Sequence, residues 1–172
     1  MTSMQMKIAR NGGYSEEMKY IAKKEGVDLE KLRRNIAAGR VVILKNFNHE
    51  VEPVGVGFPL RVKVNANIGT SMDIVDVEAE VRKAKIAKKY GADTIMDLST
   101  GGDLNEIRRR IMREVPTVTG TVPIYQAAWE MLQKKRAIVD MTEDDMFNAV
   151  ETHLKDGVDF LTIHVGVTKE AV

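Results

Sequence analysis

At 172 residues and 44% hydrophobic, the chain is long enough for one domain with a substantial core, with room for a small N-terminal extension. Its 26 basic and 25 acidic residues leave a formal charge of +1, which excludes the electrostatic footprint of a nucleic-acid or anionic-membrane binder. The absence of cysteine excludes disulfides, thiolate catalysis and a cysteine-ligated cluster within these residues.

The opening MTSMQMKIARNGG lacks the continuous apolar core of a signal peptide, and no stretch approaches the roughly 20 apolar residues of a membrane helix. A cytoplasmic protein without a membrane partner is expected. His49, His153 and His164 have no partner at a helical or hairpin metal spacing, which argues against a zinc site built from histidines alone. His49 and His153 are assigned to structure.

Ser15 to Glu25 reads as a helix ending at Gly26, with Met18, Ile21 and Ala22 on one face. Asp28 caps a second helix through Leu29, Leu32 and Ile36 that stops at Gly39. Arg40 to Phe47 reads as a short strand. Pro53, Gly55, Gly57 and Pro59 then punctuate the chain too often for a helix and predict an irregular or hairpin connection. Residues 1–60 are therefore expected to form an N-terminal cap or small subdomain.

From Leu60 the pattern becomes regular. A strand over Arg61–Asn67 leads through Ile68, Gly69 and Thr70 to a helix that opens at Asp76, carries Val77, Val81 and Ala84, and ends at Gly91. A buried strand at Thr94–Leu98 is followed by the turn Ser99–Gly102 and a helix from Asp103 to Glu114, with Leu104, Ile107 and Ile111 inward. Arg108, Arg109, Arg110 and Arg113 are placed outward or flanking, and the basic runs in general read as solvated helix faces. Next come a strand at Thr117–Val122 and a helix from about Ile124 with Ala127, Ala128, Met131 and Leu132. Thr142 followed by Glu143, Asp144 and Asp145 is a strong helix start, and its helix runs through Met146, Val150 and Leu154 to Gly157. A last strand, Val158–His164, precedes the start of another helix at Val165–Thr168.

Four strands with crossover helices make the fold class α/β: an N-terminal cap (residues 1–60) plus the first half, about four βα units, of a (β/α)8 TIM-type barrel (residues 61–172). A small doubly wound open sheet is the alternative, which periodicity alone does not exclude. The barrel half is favoured because the chain stops at the start of a helix that would cover its last strand.

Asn67, Met96, Tyr125 and His164 each fall at or just beyond the carboxyl end of a different predicted strand, the edge where parallel α/β folds bind ligands. An amide, a thioether, a phenol and an imidazole together could hold a flat, nitrogen-rich ligand. Individually, Met96 fits core packing, Asn67 an Asx turn, Tyr125 packing with a wet hydroxyl, and His164 a solvated strand end. The Ser99–Gly102 loop could receive an anion at a helix N-terminus, but Asp103 is placed to cap that helix itself, and a loop without an anion is the favoured reading.

The stretches VNANIGTS (64–71), MDLSTGGD (96–103), GTVPIYQA (120–127) and TIHVGVT (162–168), in this order, resemble the phosphomethylpyrimidine synthase family of thiamine pyrimidine biosynthesis, and resemble its N-terminal part only. The resemblance implies that Asn67, Met96, Tyr125 and His164 are substrate contacts. It implies conversion of 5-aminoimidazole ribonucleotide to 4-amino-5-hydroxymethyl-2-methylpyrimidine phosphate through a radical made from S-adenosylmethionine. An iron–sulfur (4Fe-4S) cluster, S-adenosylmethionine, zinc and a homodimer are expected of the full-length family. The cluster's Cys-x2-Cys-x4-Cys motif and the metal ligands have no counterparts in this sequence, so the chain alone is expected to be inactive. The alternative is a non-catalytic ligand-binding or assembly module that complements a second chain.

Overall fold

The computed structural model describes residues 4–166, so Val167 and Thr168 of the forecast helix start lie outside the described residues. The chain opens with three helices, α1 (Gln5–Arg10), α2 (Glu16–Glu25) and α3 (Leu29–Ala37), then a hairpin of β1 (Val41–Leu44) and β2 (Val54–Gly57). The α2 and α3 starts are fixed by side chains: Ser15 accepts from the Met18 N–H and Asp28 from the Lys31 N–H. The forecast strand Arg40–Phe47 shortens to Val41–Leu44 because the antiparallel pairing with β2 extends only from Val41↔Gly57 to Leu44↔Val54. Ala9, Met18, Ile21, Leu32, Ile36 and Val41 bury together, which gives this part a core of its own. Helix α1 was not expected, since six residues with one buried position carry too little periodicity to read.

The repeat follows: β3 (Asn65–Ile68), α4 (Val77–Lys89), β4 (Thr94–Asp97), α5 (Leu104–Glu114), β5 (Val118–Thr121), α6 (Pro123–Gln133), α7 (Glu143–Lys155) and β6 (Phe160–Leu161). All four strands pair in parallel, in the order β3-β4-β5-β6. Crossovers between parallel strands are right-handed, so an order that never reverses places successive crossover helices on one face. Ile68 and Ile95 accordingly pack with Val81, Ala84, Leu104, Ile107 and Ile111 in a second core. A doubly wound sheet needs a reversal of order that these four strands do not contain.

Two strand forecasts were too long. Arg61–Asn67 becomes Asn65–Ile68, and Val62 is 90% exposed, because pairing with β4 begins only at Asn65↔Thr94. Val158–His164 becomes Phe160–Leu161, the two residues with register partners in β5. Arg108 also departs from expectation: instead of facing outward or flanking, it is 2% exposed, because three polar groups beneath the strand ends, Asp156, Gln126 and Asn105, take up its guanidinium.

Candidate functional site at the strand ends

The register sorts the sheet into two faces. Asn67, Met96, Gly120 and Phe160 are aligned across all four strands, and the next row is Ile68, Asp97, Thr121 and Leu161. Ile68 belongs to the helix-covered core, so side chains of the Asn67 row point to the opposite, helix-free face. Gly120 leaves a gap in that row, and the Phe160 ring occupies the space its side chain would need.

Asn67 and Met96 are thus brought together as register partners on adjacent strands. The Met96 sulfur has the Asn65 amide at 3.9 Å on one side and the Thr162 hydroxyl at 3.8 Å on the other. Asn65 also donates to the Asn67 side-chain oxygen at 3.0 Å and accepts from the Thr94 hydroxyl at 2.8 Å. Met96 is 8% exposed and Asn67 is exposed. Tyr125, half-buried, stands in the first turn of α6 beyond β5, and His164, exposed, lies two residues after Thr162 beyond β6. Among the described residues, neither is a side-chain hydrogen-bond partner of Asn67 or Met96; those partners are Asn65 and Thr162. Asn65 and Thr162 escaped the sequence reading, although each lies two residues before a singled-out position, and Asn65 shares the Asn67 face by strand alternation.

The glycine-rich loops after β3 and β4 clasp each other. The Thr70 N–H donates to the Ser99 hydroxyl, the Thr70 hydroxyl to the Gly101 carbonyl at 2.6 Å, and the Thr100 N–H to the Thr70 carbonyl at 2.9 Å. Gly69, at φ 148°, approaches so closely that a Cβ there would lie 2.6 Å from the Leu98 carbonyl carbon, and a Cβ on Gly101 would collide with the Ser71 carbonyl. Asp103 accepts from the Glu106 N–H at 3.0 Å, so the helix end is capped from within, and close backbone contact accounts for Gly69 and Gly101.

Directly beneath, on the helix side, lies a buried polar cluster. Arg108 donates to Asp156 at 3.0 and 2.6 Å, to the Gln126 carbonyl oxygen at 2.8 Å and to Asn105 at 2.6 Å. His153 Nε2 lies 2.7 Å from that same Gln126 oxygen, and its Nδ1 lies 2.7 Å from the Thr121 hydroxyl. Since the Gln126 oxygen can only accept, His153 carries its proton on Nε2 and accepts from Thr121. Burial, reinforced by the Arg108 charge, lowers the His153 pKa to about 3, so the ring is neutral. Burial also pushes the Asp97 carboxyl above its ordinary range, against two hydrogen bonds from Ser99. Asp97, Ser99, Arg108, Thr121, Gln126 and His153 enclose a small shared cavity. At the other end of the sheet His49 donates to Asp159 at 2.8 Å, a structural tie also held by the Thr119 and Asn46 N–H groups.

The model of a family described as "Radical SAM ThiC family" matches residues 4–172. The chain belongs to the ThiC family. Over 169 residues it is 66% identical to a phosphomethylpyrimidine synthase of Thermococcus kodakarensis, covering 98% of this chain and 40% of that protein. The corresponding protein of Pyrococcus furiosus is 67% identical over 169 residues, and that of Methanocaldococcus jannaschii 57% over 168, each with 98% of this chain and 39% of the relative covered. The chain thus spans about 40% of the length of the relatives it matches. The ThiC residues present here do not fit an iron–sulfur cluster, since none is a cysteine. Nor do the described residues bring together three or more His, Cys, Asp or Glu side chains able to hold a metal ion. No helix among them is long and apolar enough to cross a membrane.

Proposed function

We propose that this chain is the N-terminal part of a phosphomethylpyrimidine synthase, comprising a cap (residues 1–60) and the first half of a (β/α)8 barrel (residues 61–172). In this reading the complete enzyme converts 5-aminoimidazole ribonucleotide to the hydroxymethylpyrimidine phosphate by S-adenosylmethionine radical chemistry. Iron–sulfur and metal ligands are supplied from outside these residues, and the assembled enzyme is a cytoplasmic homodimer. Asn67, Met96, Tyr125 and His164 form one wall of the ribonucleotide site.

The observation that carries the reading is the row Asn67–Met96 on the helix-free face at the carboxyl ends of adjacent parallel strands, flanked by Asn65 and Thr162. In a closed barrel that face is the interior and that end is where chemistry occurs. The strand order supports closure, because unreversed parallel strands with helices on one face are the arrangement a barrel continues. The wall supplies amide and hydroxyl groups to orient a polar heterocycle and a thioether to contact its flat surface, in a setting that excludes water from a reactive intermediate.

The test is substitution in the full-length polypeptide. Asn67→Ala, Tyr125→Phe and His164→Ala are each expected to weaken ribonucleotide binding or turnover by on the order of 1 kcal/mol, with thermal stability nearly unchanged. Equal losses of melting temperature with affinity intact would return these residues to a structural role. Met96→Leu keeps the volume and removes the sulfur, so unchanged turnover would return Met96 to packing. A second reading, a silent assembly module that complements another chain, is favoured by the two sheet edges, β3 and β6, that the described residues leave unpaired. Steady-state turnover of the purified chain mixed with its candidate complement separates the two.

A further inference from the structure

Helix α6 begins without a side-chain cap: Val122 holds the N-cap position and Pro123 follows. Its first turn nevertheless carries Tyr125, so something else must set where that ring stands. Gln126, the next residue, is 3% exposed. Its carbonyl oxygen accepts from Arg108 and from His153, and its amide nitrogen donates to Asn105 and Glu130, each at 2.9 Å. A carboxamide has two acceptor and two donor positions, so this one is saturated. Thr121, at the end of β5, is tied to the other nitrogen of the same His153 ring. The segment Thr121–Gln126 is therefore pinned at both ends to one histidine of α7, and Gln126 is pinned again to α5 through Arg108 and Asn105.

We infer that Gln126, held by Arg108 and His153, is the positioning residue that sets the orientation of Tyr125 at the mouth of the strand-end site. It touches no ligand itself. It acts by fixing the first turn of α6, which has no cap to fix it, against two neighbouring helices. A residue held by four hydrogen bonds cannot rotate without leaving buried groups unpaired, and the adjoining Tyr125 backbone is restrained with it. The inference rests on Tyr125 being a ligand contact, and the experiment separates the two.

The chain contains four tyrosines, so fluorotyrosine labelling gives four fluorine resonances, and the one lost in Tyr125→Phe is assigned to Tyr125. In Gln126→Leu the Tyr125 resonance is expected to shift or split while those of Tyr14, Tyr20 and Tyr90 stay in place. Asn105→Ala removes one partner of Gln126 and one of Arg108 from a half-buried position; it keeps the test open should Gln126→Leu not fold, and should shift the same resonance less. In the full-length polypeptide Gln126→Leu should raise the ribonucleotide KM by about fivefold or more, as loss of one aligned hydrogen bond does. An unchanged Tyr125 resonance in folded Gln126→Leu or Asn105→Ala, with only a lower melting temperature, would overturn the positioning role. If instead Tyr125→Phe leaves KM unchanged, Tyr125 is no ligand contact, and the fluorine result still decides whether Gln126 positions it.

Discussion

Arg108 shows what a run of like charges conceals. Leu104, Ile107, Arg108 and Ile111 follow the spacing of the inward face of a helix, so the helical period taken alone would put this arginine with the core, although it was read as outward or flanking. Its composition argued the other way, and the partners that make burial tolerable come from positions 126 and 156, which no local pattern connects. Removing one member of a buried charge pair leaves the other uncompensated, so Arg108→Ala should destabilise the fold by about 3–5 kcal/mol in urea titrations. Arg109→Ala, next in the same run and half-exposed, should change stability by no more than about 0.5 kcal/mol. Comparable losses for the two would remove the distinction.

His153 gives the cluster a pH signature. Its ring ordinarily titrates at 6.5 and here at about 3, so between those values the unfolded chain takes up a proton that the folded chain refuses. Stability is fully present above pH 6.5 and falls as pH drops through that window, at no more than about 1.4 kcal/mol per unit. Asp97 has the opposite sign: its raised pKa costs stability as pH climbs above the ordinary 3.8. His153→Gln offers an acceptor to Thr121 and a donor to Gln126 without titrating. Denaturant titrations at a series of pH values should find the parent losing ground to this variant as pH falls from 6.5 toward 3. A pH-independent difference would mean that His153 is not held neutral.

At the scale of elements, what was legible were the helix ends. Ser15, Asp28, Asp76, Asp103 and Thr142 were read as caps or helix starts and all accept from a backbone N–H, and Thr142 with Asp145 completes a capping box. Caps are local chemistry, written within four residues of sequence. Strand ends are not, because they stop where the partner stops, and the partner is distant in the chain; hence Val62 and Ile163 read as strand and are exposed. Asn67 and Met96 were singled out by their position near strand ends and prove to be register partners, whereas the Arg108–Gln126–His153 cluster went unseen, since three residues on three helices share no spacing. The glycine-rich loops were legible as loops, but their reason lies in contact between two of them. Gly69→Ala should therefore cost about 1–3 kcal/mol, measured by thermal unfolding, from crowding against Leu98 and a strained φ. Ile95→Ala, fully buried in β4, should cost about 2–5 kcal/mol by the same measurement.

For the whole molecule, the helix-free face is the feature with the largest consequence. Among the described residues β3 and β6 are sheet edges, and the face between them carries the Asn67–Met96 row with no helix of the repeat packed on it. Such edges leave backbone N–H and C=O groups unpaired. Sedimentation of the 172-residue chain at several concentrations is expected to show self-association; a compact monomer at every concentration would argue that this face is stable in water.

The unreversed strand order also bears on how the protein is made. Every strand in the described residues pairs with its nearest neighbour in sequence, β1 with β2 and then β3 through β6 in turn. As the polypeptide leaves the ribosome, β2, β4, β5 and β6 each find a docking edge already synthesised. Growth of the sheet can thus keep pace with translation, in the direction of translation.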